Sequence, residues 1–133
     1  MIEKPIYVGE SSFESMVEEN AYLVDKTRYI KSIFKDGNSV SLITRPRRFG
    51  KSLTQSMLKN FLELDYETPG DTTKPRQLFS GFEILKDEVF CRENLGQWPV
   101  IFLSLKKVEG DGYATARRRL VSTVVDCAQS LDF

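Results

Sequence analysis

Histidine is absent from this chain of 133 residues, and its two cysteines, Cys91 and Cys127, stand far apart with no C-x-x-C pair. A Cys/His zinc site and a triad that moves protons through histidine are therefore excluded within the chain. A surplus of charge is missing as well, since Lys plus Arg and Asp plus Glu number 19 each. No global field draws the chain to nucleic acid or to a membrane, so a basic site has to be local. No run approaches the roughly 20 apolar residues a membrane helix needs, and Met1-Ile2-Glu3-Lys4-Pro5 lacks the apolar core of a signal peptide. These absences predict a cytoplasmic protein with reduced thiols and no membrane partner. Internal repeats, low-complexity tracts and interdomain linkers are also lacking.

What is present suffices for one folded domain: 41% of residues are hydrophobic and 11% aromatic, and the length allows a sizeable core. The stretch from Ser39 to Leu64 organises the rest. Asp36-Gly37-Asn38-Ser39 reads as a turn, and Val40, Leu42 and Ile43 as the brief β-favouring run of a buried parallel strand. Pro46 cannot donate to a ladder and biases Arg45 toward an extended conformation, so the strand stops there. Leu53, Met57 and Phe61, with Leu58 and Leu62 beside them, then mark one apolar stripe of a helix, opposite Thr54, Gln55, Lys59, Asn60 and Glu63.

Strand, loop and helix supply the context of a phosphate-binding loop, G-x-x-x-x-G-K-[ST], with Arg45 where the first Gly would stand. Gly50 lets the backbone come close to a ligand, Lys51 is placed to reach the outer two phosphates, and Ser52 to hold Mg2+. The amides of Arg47, Arg48, Phe49, Gly50, Lys51 and Ser52 form the expected cradle, because consecutive N–H groups at a helix start attract anions. Four cations among the seven residues from Arg45 to Lys51 have no local acid. The plain alternative is a solvated basic loop, and spacing does not say whether Arg47 or Arg48 faces the outermost phosphate.

Ile43-Thr44-Arg45-Pro46-Arg47-Arg48-Phe49-Gly50-Lys51-Ser52 is similar to the nucleotide-binding motif of the bacterial family called AAA-ATPase-like, in which Arg-Pro-Arg-Arg-Phe-Gly-Lys-Ser replaces the Gly-led form. Three further stretches carry the same resemblance: Tyr22-Leu23-Val24-Asp25-Lys26-Thr27, Leu78-Phe79-Ser80-Gly81-Phe82-Glu83-Ile84, and Trp98-Pro99-Val100-Ile101-Phe102-Leu103-Ser104-Leu105. The resemblance covers nearly the whole chain. It implies ATP as the nucleotide, Mg2+ as its companion ion, and an α/β fold of P-loop NTPase type, with a parallel sheet flanked by helices. The residues by themselves do not identify the base; an Asn/Thr-Lys-x-Asp guanine element is not present.

Elsewhere, Ser11 and Glu14 have the spacing of a capping box for a short helix bearing Phe13, Met16 and Val17, closed by Asn20. Asp25 caps a second helix with Tyr29, Ile30, Ile33 and Phe34 on one side, so Asp25-Lys26-Thr27 reads as a cap with solvated charges rather than as a nucleotide contact. Tyr66 to Gln77, rich in Pro and Gly, reads as a surface loop, and a short helix from about Asp87 to Asn94 ends at Gly96. Val100-Ile101-Phe102-Leu103 has the continuous apolarity of a second strand buried on both faces. After the turn Gly110-Asp111-Gly112, the repeat Ala116, Leu120, Val124, Cys127, Leu131 predicts a long helix with Arg117-Arg118-Arg119 on or near its solvated face. The expected organisation of 1–133 is thus amino-terminal helices (1–38), strand, phosphate-binding loop and helix (39–64), loop and short helix (65–97), and second strand and helix (98–133).

A hydrolase of this type needs an acidic residue closing a later apolar strand, to hold Mg2+ and orient water. No such strand follows Lys106, and Asp126 and Asp132 fall in the helical pattern. The sequence therefore points to binding of nucleotide and leaves hydrolysis open. The resemblance further implies two strands between Val40–Ile43 and Val100–Leu103, a gap of about 10 Å at the usual strand spacing. That makes the sheet incomplete, predicts a fragment or natural truncation, and invites another chain as the source of the missing strands. Two other readings stand beside it: a nucleic-acid-binding piece using Arg45, Arg47, Arg48 and Arg117–Arg119, and a non-functional remnant.

Overall fold

The computed structural model describes residues 4–37 and 39–131; Asn38 of the expected turn and Asp132 of the expected last helix lie outside them. The elements are α1 (Phe13–Glu18), α2 (Arg28–Lys35), α3 (Lys51–Leu62), α4 (Thr73–Leu78), α5 (Glu88–Asn94) and α6 (Tyr113–Gln129), with 3-10 turns at Glu83–Lys86 and Leu105–Lys107. Local chemistry sets the start of two of these helices, α1 and α5, through side-chain caps. Glu10 Oε1 accepts the amides of Ser11 and Ser12, both at 2.7 Å. The cap of α1 is therefore Ser12, one residue after the expected Ser11, and its Oγ accepts the amide of Ser15 at 3.2 Å. Asp87 caps α5 in the same way, accepting from the amide of Phe90 at 3.1 Å. Within the stretch expected to be a surface loop, α4 forms because Pro75 falls in the first helical turn, where its missing N–H breaks no intrahelical bond.

The core is a chain of phenylalanines. Phe61 of α3 is fully buried, with its ring edge-on to Phe79 (5.3 Å between centroids) and stacked near Phe90 (6.0 Å). Phe79 in turn stacks on Phe13 of α1 at 4.9 Å. Ile30, Met57, Ile84, Cys91 and Leu95 complete the dry interior, with Leu53, Leu58 and Leu62 of α3 packed against it. Burial pushes the Cys91 thiol above its ordinary pKa, so this sulfur is an unreactive core atom.

Asp25 does not cap α2 as expected: Thr27 is the cap residue and no side chain caps the helix, so Asp25 and Thr27 instead form a polar tether between the entry of α2 and the turn before α5. Asp25 Oδ1 accepts the amide and hydroxyl of Thr27 at 2.8 and 2.7 Å, and Oδ2 accepts the amide of Glu83 at 2.8 Å. The Thr27 hydroxyl oxygen, fully buried, accepts the amide of Ile84 at 3.2 Å. The Thr27 oxygen thereby satisfies a main-chain donor that burial would otherwise strand. Lys31 of α2 also pairs with Asp87, closing the same joint from outside.

The expected parallel sheet is not there. Among the described residues the chain is helical, and its β pairing is limited to one parallel bridge, Glu63 with Trp98. In it Trp98 N donates to Leu62 O and Leu64 N to Trp98 O, both at 2.9 Å. Residues 40–43 and 99–103 form no strand and no ladder. Val40 and Leu42 are 83% and 85% exposed and Ile101 is 70% exposed, so neither segment is buried on two faces. The physical reason is lateral: a β-favouring run becomes a strand only when a neighbour accepts its N–H and C=O groups. Neither run has such a neighbour here, and the apolar side chains gain nothing from being continuous.

Two measurements follow. Phe61→Ala should cost about 3–5 kcal/mol in urea unfolding, whereas Leu42→Ala should stay within about 0.5 kcal/mol; a large loss for Leu42→Ala would restore the buried strand. Burial raises the pKa of Asp25, but the amide of Glu83, the hydroxyl and amide of Thr27 and the charge of Arg28 outweigh it, leaving the carboxyl below its ordinary value of 3.8. A depressed carboxyl stabilises the fold above its unfolded pKa and loses that contribution as pH falls through the folded one. Asp25→Asn should therefore be mildly destabilising at neutral pH, with the deficit shrinking as pH falls below 3.8; a deficit independent of pH would remove the charge from the explanation.

Candidate functional site

The loop from Arg45 to Phe49 is exposed, and two residues at its junction with the following helix are left-handed, Arg48 (φ 66°) and Gly50 (φ 74°). Glycine adopts this region freely, while an arginine held there stores on the order of 1–3 kcal/mol of strain. The double reversal turns the chain into α3 at Lys51, with Gly50 as its cap residue. Gly50 O then receives both the amide and the hydroxyl of Thr54, each at 2.9 Å, which locks the first helical turn.

Lys51 bends back across the loop. Its ammonium donates to Arg45 O at 2.6 Å and to Pro46 O at 2.9 Å, so it ties the loop's entry to the start of α3. Lys51 lines a hollow of about 500 Å3 together with Arg45, Phe49, Lys26, Arg28 and Thr44. Gly50, Arg48 and Phe49 line an adjoining, more apolar hollow of about 330 Å3 with Tyr22, Leu53 and Met57. Arg47 lines neither. Ser52, one residue beyond Lys51, instead lines a third hollow with Ser56, Lys59 and Lys106. Of the expected site residues, the structure thus groups Lys51 with Phe49, places Arg48 and Gly50 just beside them, and separates Ser52 and Arg47.

The charge of the larger hollow is one-sided. Four cations from three segments, Lys26, Arg28, Arg45 and Lys51, line it, and no carboxylate does, although Arg28 pairs with Glu83 outside the lining at 3.5 Å. In a chain whose acids and bases balance, such a wall concentrates positive potential where low-dielectric side chains focus it. Lys26 was not expected here. Its Nζ lies 3.9 Å from the point a Cβ on Gly50 would occupy. No signal in the sequence singled it out, since the bonds that fix its neighbours Asp25 and Thr27 run to Glu83 and Ile84.

The arginine triplet of α6 takes no part, since neither hollow beside the loop contains a residue of α6. Among the described residues no group of three or more Cys, Asp or Glu converges to hold a metal ion, and no helix is long and apolar enough to cross a membrane.

A family model described as "Predicted AAA-ATPase" matches residues 7–133. No curated protein and no solved structure matches the chain. The matched span includes the loop, both hollows beside it and all six helices, and on that breadth the chain belongs to the AAA-ATPase-like family.

Proposed function

We propose that this chain binds ATP, with the triphosphate seated in the cationic hollow beside the loop. The observation that carries the reading is the wall of Lys26, Arg28, Arg45 and Lys51, of which Arg28 alone has an acidic partner among the described residues, at the loop whose sequence has the form of a phosphate binder. Membership of a family described as ATPases supplies the nucleotide. On this reading the Lys51 ammonium exchanges its bonds to Arg45 O and Pro46 O for phosphate oxygens, and the amides near Gly50 face the same chain. Phe49, exposed and shared by both hollows, offers a ring surface to the rest of the nucleotide.

Mg2+ fits less well. Ser52, the expected ligand, lines a different hollow from Lys51, and the cationic hollow contributes no carboxylate. Mg2+ therefore enters the proposal only as an ion carried by the nucleotide's own oxygens, and the reading stops at binding.

Thermal melting of the whole chain tests it. At a hundredfold excess over Kd, ATP should stabilise the fold by about 2.7 kcal/mol, and tripolyphosphate without Mg2+ should also raise Tm. Lys51→Ala should abolish both shifts. An unchanged shift in that variant, or no shift with the unaltered chain, would remove the site.

A further inference from the structure

We propose that Lys26 is a second phosphate-binding lysine, bearing on the phosphate nearest Gly50 from the side opposite the loop; this deepens the ATP reading and rests on it. Lys26 is the cation common to both hollows beside the loop, and it shares that wall with Phe49 and Thr54. Its Nζ stands over Gly50, the position where the absent side chain leaves the backbone open, at 3.9 Å from the missing Cβ. A phosphate approaching the Gly50 backbone therefore meets this ammonium.

The two lysines differ in what a ligand must displace. The Lys51 ammonium is engaged by two carbonyls, whereas the Lys26 side chain has no ion pair or hydrogen bond among the described residues. Recruiting Lys51 exchanges existing bonds; recruiting Lys26 exchanges only water. Its backbone is nonetheless fixed on both sides. Asp25 is bonded to Thr27 and to the amide of Glu83, and the buried Thr27 hydroxyl is bonded to the amide of Ile84. The stem of Lys26 thus leaves a rigid corner of the fold, which lowers the ordering cost of aiming a flexible side chain.

Calorimetric titration of the whole chain with ATP, with Mg2+-free tripolyphosphate and with adenosine decides the matter. Lys26→Met should weaken ATP and tripolyphosphate tenfold or more and leave adenosine and the ligand-free Tm unchanged, because the lysine is exposed and unpartnered in the absence of ligand. Lys26→Arg, which keeps the charge, should bind ATP within threefold of the unaltered chain. Wild-type affinity in Lys26→Met, alongside a loss in Lys51→Ala, would overturn this inference and leave the ATP reading standing. A loss in Lys26→Arg equal to that in Lys26→Met would overturn charge as its basis. Failure of the unaltered chain to bind either phosphate ligand would overturn the ATP reading and this inference together.

Discussion

The burial of Phe61 between Phe79 and Phe90 is the contact on which the arrangement depends. It anchors the second half of α3, and α3 is a single rigid rod of 12 residues. Fixing its far end against the core fixes the direction in which its near end, at Gly50 and Lys51, meets the loop. Phe13 reaches the same cluster through Phe79, and its amide donates to Ser56 Oγ of α3 at 3.0 Å. The side of the smaller hollow formed by Phe13 of α1 and Met57 of α3 is therefore an extension of the core.

The second constraint is polar. Interior aromatic packing is tolerant of small rotations, but a carboxylate that accepts from three donors is not. Asp25 and Thr27 bind the start of α2 to the Glu83–Lys86 turn, and in doing so they hold residues 25–28 against the loop. Two cations of the larger hollow, Lys26 and Arg28, come from this short segment; the other two come from the loop and the start of α3. The concentration of positive charge is a product of tertiary assembly, since the four residues span positions 26 to 51.

The carboxy-terminal part contrasts with this. Helix α6 has no buried residue, and Leu120, Val121, Val124 and Val125 are 40–49% exposed. Its contacts run to the Leu105–Lys107 turn and, through Cys127 Sγ, to Phe102 O at 3.6 Å. Ile101, Leu103 and Leu105 are exposed with it. The core closes at Leu95, and just beyond it the parallel bridge between Glu63 and Trp98 ends the region in which backbone groups of distant segments pair. Beyond that point the apolar pattern of the chain is not matched by burial.

Features that depend on neighbours within a few residues could be read from the sequence alone. The stripe Leu53, Met57, Phe61 specifies α3 because side chains four apart share a helix face, and Asp87 and Gly96 bracket α5 through a cap and a left-handed exit. The start of α3 at Lys51 follows from glycine's freedom at Gly50. Strand pairing did not follow, because Val40–Ile43 and Val100–Leu103 have the composition of strands while a ladder needs a second chain segment delivered alongside. The direction of Ser52 away from Lys51 was equally invisible: successive helical residues point about 100° apart, and which of them faces a hollow depends on what else packs there. The tertiary structure alone decided that Lys26, a residue between two others that tether α2 to the Glu83–Lys86 turn, stands over Gly50, since its position is set by their bonds to Glu83 and Ile84, more than fifty residues away.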